Sequence, residues 1–241
     1  MFNSTRIIWG LLMVAAVIII ALIDQFFINF IIFGILLFLA FNEAKKLFNL
    51  EKISIIPLIL AFILGTMMLK PLFLGILAIL LILGYQVYKK SNLKPALIYL
   101  YPSLPILALW QIYLTHGMFA LFWLILIVAS CDSAAYFIGK LIGKTPFSPT
   151  SPNKTLEGVI GGLIFASIFG SLIGIFVYGF WLSLFCSFFS AFMAVIGDLL
   201  ESYFKREAGV KDSGDLIPGH GGLLDRIDAV IIAAFVMVSF L

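Results

Sequence analysis

An all-α fold, a polytopic transmembrane helical bundle of about nine spans with the N-terminus cytosolic and the C-terminus external, is predicted by three features of the sequence. Of 241 residues, 63% are hydrophobic and 11% charged, with a mean hydropathy of +1.19, against roughly 45–50% apolar and about 25% charged in a soluble domain. The apolar residues gather in runs that suit a hydrocarbon core about 30 Å thick, which takes roughly 20 helical residues to cross. The basic residues fall almost wholly on one side of the stack that those runs define.

The runs are 7–23, 26–42, 53–69, 71–88, 95–115, 117–140, 158–178, 180–200 and 226–241. The first is too long for a signal-peptide apolar region and has no small-x-small exit before Asp24 and Gln25, so it is read as a retained span. The first four form tight hairpins. Pro57 and Pro71 stand near the starts of their runs, where a missing N–H is tolerated, whereas Pro102 and Pro105 lie inside the fifth and predict a kink. In the seventh, Gly158, Gly162, Ala166, Gly170 and Gly174 recur every fourth residue, a ridge that lets a second helix approach closely, within the chain or across a dimer.

With the chain starting in the cytosol, 14 of the 15 basic residues fall inside and only Lys70 outside. Adding or removing one span would scatter them. The net charge of +3 therefore reports membrane topology and not a nucleic-acid partner. Cys131 and Cys186 sit in apolar runs without ligand-spaced companions and read as packing residues.

Acids divide the chain. Residues 1–115 hold three, Asp24, Glu43 and Glu51, at span ends or in loops, and read as N-terminal transmembrane scaffold; residues 116–241 hold the other nine and read as the catalytic region with its cytosolic loops. A lone charge at the centre of a span costs about 2.5–3.5 kcal/mol on insertion scales, so Asp132, Asp198, Asp225 and Asp228 need partners or metals. Asp198, Ser202, Lys205, Arg206 and Gly209 share a helix face by spacing, as do Asp132, Tyr136 and Lys140, and Asp225 and Asp228. Three helix ends thus present carboxylates at one cytosolic depth, with Lys and Arg beside them, which is what Mg²⁺ and a polyphosphate require.

Two loops complete this region. Lys211 to Gly222, with Asp212, Ser213, Gly214, Asp215, Pro218, Gly219, His220, Gly221 and Gly222, reads as an ordered loop whose glycines and following helix start offer N–H groups to a phosphate. His220 is placed to donate a hydrogen bond or move a proton, although a lone loop histidine is more often structural. In the second loop, Ser148 to Gly158, Thr155 to Gly158 reads as a helix cap and Lys154 equally as a phosphate contact.

These residues resemble the phosphatidate cytidylyltransferases, the CDP-diacylglycerol synthase family. The resemblance is carried by Ser202 to Arg206, Lys211-Asp212-Ser213-Gly214, Pro218-Gly219-His220-Gly221-Gly222 and Asp225-Arg226-Ile227-Asp228. It extends upstream to Gly197-Asp198, to Asp132-Ser133 with Ala135-Tyr136, and to Ser151-Pro152, Lys154-Thr155 and Glu157-Gly158. Asn153 departs from it, standing where the family pattern has a lysine.

The resemblance implies transfer of CMP from CTP to phosphatidic acid, giving CDP-diacylglycerol and pyrophosphate, with a divalent cation (Mg²⁺, with room for a second) and a homodimer. On that basis Asp198, Asp225, Asp228 and Asp212 are the expected metal ligands. Lys205, Lys211, Arg206 and Arg226 are the expected phosphate-binding cations, and Ser202 a hydroxyl ligand. Asp132 and Tyr136 shape the site, and Lys154, Gly221 and Gly222 contact substrate. The expected location is the bacterial plasma (inner) membrane, with the site facing the cytosol. Two alternatives stand beside this reading, a CTP-dependent membrane lipid kinase and a secondary transporter. Transport predicts charges at mid-membrane and a repeat between halves, neither of which the sequence has.

Overall fold

The computed structural model describes residues 4–50, 52–219 and 221–241. Its helices are α1 (Ser4–Ile23), α2 (Phe26–Leu47), α3 (Ile56–Met68), α4 (Pro71–Tyr88), α5 (Ala96–Ile98), α6 (Leu104–Ile142), α7 (Leu156–Tyr178), α8 (Phe180–Glu207) and α9 (Leu224–Phe240). A short antiparallel hairpin, β1 (Pro146–Ser148) and β2 (Ser151–Thr155), joins α6 to α7.

Each apolar run is helical, and the fold is all-α apart from that hairpin. The fifth and sixth runs lie in one helical stretch, Ala96–Ile142, which is broken twice. Tyr101 is extended (φ −136°, ψ 125°) where Pro102 excludes helical backbone at the preceding residue, as the proline content predicts. Gly117 (φ 74°, ψ −175°) adopts a conformation that glycine alone reaches cheaply. Among the described residues, five helical stretches are long and apolar enough to cross a membrane: Phe26–Leu47, Pro71–Tyr88, Ala96–Ile142, Leu156–Tyr178 and Phe180–Glu207. The apolar stretches Ile8–Ile23 and Ile56–Met68 are shorter. The protein is an integral membrane protein.

The chain packs as two units. The first runs to Met118 and takes in Glu207–Ile227; the second is Phe119–Arg206 with Asp228–Leu241. In the first, the core is aromatic. Trp110 is fully buried, packs against Phe33, Phe62 and Tyr113 at ring separations of 5.1–5.5 Å, and donates its indole N–H to Thr66 Oγ1 at 2.7 Å. The α3–α4 hairpin is tight enough that Gly65 lies directly against the Pro71 backbone.

In the second unit the glycine ridge of α7 packs within the chain. A Cβ on Gly162 would sit 2.7 Å from the Cys131 carbonyl oxygen of α6, and one on Gly170 would sit 2.5 Å from Ser187 Oγ of α8. Trp123 ties α6 to this ridge by donating its indole N–H to the Gly170 carbonyl at 2.7 Å. Cys131 and Cys186 are both buried packing residues. Gly162→Val forces α6 and α7 apart, and overpacking of this kind costs about 1–3 kcal/mol. The expected result is a lowered thermal midpoint of the detergent-solubilised protein, with Ile164→Val on the exposed face leaving it unchanged.

Candidate active site

Polar side chains gather in two places, one in each unit. In the second unit, β2 delivers Lys154, α6 Asp132, α8 Asp198, Glu201 and Lys205, and α9 Asp228. The approach of α8 to α9 is set by Gly197, where a Cβ would meet the Asp228 carbonyl oxygen at 2.5 Å and the Ala229 Cα at 3.1 Å. The start of α7 is fixed by Thr155, whose hydroxyl accepts from the Gly158 N–H at 3.2 Å, so the cap read from the sequence is present. Glu157 accepts from the N–H groups of Lys144 and Thr145 at 3.1 and 3.2 Å, which pins the end of α6 to the start of α7 and orients the hairpin carrying Lys154.

Lys154 forms an ion pair with Asp198. One turn further along α8, Lys205 pairs with Glu201 at 2.6 Å, and the Glu201 side chain is only 1% exposed. Asp228 is 8% exposed; its carboxyl lies against that of Glu201, in the field of Lys205 and Lys154. Asp132 feels both Lys154 and Asp228. Four carboxylates therefore face two ammonium groups, an excess of two negative charges; Glu201 and Asp228 are buried, so that pair is the one that needs a shared proton or a further cation.

In the first unit, loop 211–223 and the start of α9 enclose an open pocket of about 640 Å³ lined by Lys211, Asp212, Asp215, Gly219, Gly221 and Arg226, with Ile217 and Pro218. The loop is held by two carboxylates. Asp225 Oδ2 accepts from the Ser213 N–H (2.8 Å), the Ser213 hydroxyl (3.0 Å) and the Gly222 N–H (2.8 Å). Glu43, from α2, accepts from the Leu223 N–H (2.7 Å) and the Leu224 N–H (2.9 Å) and shares the single Ser213 hydroxyl proton (3.1 Å) with Asp225. The sequence reading leaves the helix-start N–H groups to a phosphate. The structure corrects this: those of Gly222, Leu223 and Leu224 bind the chain's own carboxylates, because uncompensated anions buried beside a helix N-terminus take the nearest donors.

The structure thus gathers Asp132, Lys154, Asp198, Lys205 and Asp228 in one cluster, and Lys211, Asp212, Gly221, Gly222, Asp225 and Arg226 around one loop. The contacts defining these clusters do not include Ser202, Arg206 or Tyr136; Lys140 lies over the Tyr136 ring at 5.9 Å. His220, read from the sequence as catalytic, lies outside the described residues. Among the described residues no three His, Cys, Asp or Glu side chains converge as a metal centre. Sequence reasoning missed Glu43 and Glu201. Each stands at the polar end of an apolar helix beside lysines that give it an ordinary surface reading, Lys45 and Lys46 for Glu43 and Lys205 for Glu201.

The carboxylate-rich, lysine-paired cluster and the pocket lined by Lys211 and Arg226 give this helical membrane protein the kinds of groups that chemistry on phosphates at a membrane requires. The cytidylyltransferase family profile matches residues 4–241. The phosphatidate cytidylyltransferase of Helicobacter pylori (strain ATCC 700392 / 26695) is 37% identical over 237 residues, covering 96% of this chain and 89% of that protein. Those of Haemophilus influenzae (42% over 126 residues; 49% of this chain, 44% of that protein) and Bacillus subtilis strain 168 (38% over 120 residues; 48% and 45%) match over about half the chain. This chain belongs to the cytidylyltransferase family.

Proposed function

We propose that the chain transfers CMP from CTP to phosphatidate, forming CDP-diacylglycerol and pyrophosphate. The observation that carries this is the similarity to phosphatidate cytidylyltransferases along nearly the whole chain. The two clusters supply groups that such a reaction uses. A phosphate oxygen of phosphatidate attacks the α-phosphorus of CTP in line; the new P–O bond forms as the bond to the bridging oxygen of the β-phosphate breaks, and pyrophosphate leaves. A phosphate anion is already a nucleophile, so no side chain has to be deprotonated. Within the first unit Lys211 and Arg226 are the cations for triphosphate oxygens in their pocket, and within the second Lys205 and Lys154 are the cations available to neutralise phosphate charge.

Asp198 and Asp228 are the first candidates to hold Mg²⁺, with Asp132 beside them. The fit lies in charge and donor type: all-oxygen ligands with an excess of two negative charges suit a hard divalent cation. Asp212, with Asp225 behind it, is the candidate for a second cation carried in with the nucleotide. When bound, such cations withdraw charge from the phosphoryl oxygens.

The one-sided lysines support nine spans, a cytosolic N-terminus, an external C-terminus and a site open to cytosolic CTP, as in a bacterial plasma membrane. The homodimer rests on the family resemblance alone. Purified protein incubated with phosphatidate, Mg²⁺ and CTP labelled at the α- or γ-phosphate tests the reaction. Only the α-label should enter the lipid phase, and chelation with EDTA should abolish transfer until Mg²⁺ is restored. Entry of the γ-label would instead establish a CTP-dependent lipid kinase.

A further inference from the structure

Glu43 stands far from the acid-rich part of the sequence, in the helix pair that composition marks as scaffold. It is nonetheless 9% exposed, flanked on α2 by buried Ala40, Phe41, Ala44 and Leu47. A buried carboxylate persists only where its oxygens are satisfied. Here three donors 170 to 181 residues away in sequence do so, two N–H groups at the start of α9 and the Ser213 hydroxyl.

Its approach also explains two glycines of the loop. A Cβ on Gly214 would lie 3.0 Å from Glu43 Oε1, with no atom outside Glu43 among its three nearest contacts within 4 Å. A Cβ on Gly222 would lie 2.6 Å from Glu43 Oε2 and collide with Ser213 Oγ. Both glycines make room for this carboxylate. The segment so held ends in Lys211 and Asp212 on one side and Arg226 on the other, the charged walls of the 640 Å³ pocket.

We infer that Glu43 is a positioning residue for nucleotide binding: through Ser213, Leu223 and Leu224 it holds loop 211–226 in the shape that brings Lys211 and Arg226 to one triphosphate. The first helix pair is thereby part of the catalytic apparatus and not only a membrane wall. This assignment rests on the cytidylyl-transfer reading. Both oxygens of Glu43 already accept protein donors, so it acts through the loop and not on substrate.

The test uses full-length protein in detergent and two readouts. Glu43→Gln puts an amide N–H₂ against N–H donors, and the loss of charge-assisted hydrogen bonds corresponds to roughly a tenfold or greater rise in KM for CTP. The KM for phosphatidate should change far less. Hydrogen exchange of a peptide spanning Leu223 and Leu224 should accelerate, while α7 peptides keep wild-type protection. Gly214→Ala should raise KM for CTP similarly, and Glu43→Asp, one methylene shorter, should partly rescue it in the double variant. That rescue is a test that survives if Glu43→Gln fails to fold. A KM for CTP within twofold of wild type in Glu43→Gln, or no rescue of Gly214→Ala by Glu43→Asp, overturns the inference. Wild-type protein that makes no α-labelled lipid overturns the cytidylyl-transfer reading instead, and the exchange rates at Leu223 and Leu224 still decide whether Glu43 holds the loop.

Discussion

Replacing Asp228 by asparagine should lower CMP transfer by roughly 10²–10³-fold, the scale seen when one electrostatic group that meets transition-state charge is removed. Membrane insertion and thermal stability should persist. The substitution keeps shape and volume, so the packing of α9 against Gly197 is untouched. It removes the carboxyl that shares a side-chain hydrogen bond with the nearly inaccessible Glu201, and the asparagine amide can take up that bond in its place. With that hydrogen bond replaced, the metal-free variant should melt close to the wild-type temperature. Activity lost with stability kept is the signature of a charge retained for function. Turnover and melting temperature, measured on the same detergent preparation, separate the cases. Normal turnover would remove Asp228 from the proposed cation site, and a large fall in melting temperature would make it a structural residue.

Asp228 also shows what the sequence makes visible. Its place at the start of an apolar run, three residues after Asp225, marked it before any coordinates, because a charge at a span end is costly and therefore informative. The helices were legible for the same reason: each apolar run is helical, and Pro102 announced the break at Tyr101. The break at Gly117 was legible only as a gap between two runs. The partnership of Lys154 with Asp198 was not, since nothing in local spacing connects a β-hairpin to a residue 44 positions later. Glu201 was hidden differently. It shares an i,i+4 pair with Lys205, which on a helix surface is an ordinary solvated pair, and only burial to 1% gives it weight. Glu43 was hidden by distance along the chain, and its three donors are backbone or hydroxyl groups that leave no charge pattern to match. Of the loop glycines that the sequence singled out, Gly214 and Gly222 make room for a carboxylate of the protein.

Lys154→Met should separate the two jobs this lysine can do in the reaction. In the structure its ammonium group lies on Asp198, and the two side chains are 30% and 24% exposed, accessible enough for the pair to open. Removing it raises the local excess of negative charge from two to three. If Asp198 binds Mg²⁺, the lysine competes with that cation, so the Mg²⁺ concentration giving half-maximal activity should fall severalfold in the variant. The metal-free protein should melt lower, because a partly buried carboxylate has lost its partner, and added Mg²⁺ should restore the melting temperature. Turnover should still drop, by about 10²-fold in kcat/KM, because displaced Lys154 is the cation that meets a reacting phosphate once Mg²⁺ occupies Asp198. The opposite movements of metal requirement and catalytic efficiency are the diagnostic result. A purely structural ion pair would lower stability and efficiency together and leave the Mg²⁺ titration where it was. A lysine that serves only phosphate binding would raise a substrate KM without shifting the metal titration. An unchanged Mg²⁺ midpoint therefore rules out competition between Lys154 and Mg²⁺ for Asp198, whichever way the activity moves.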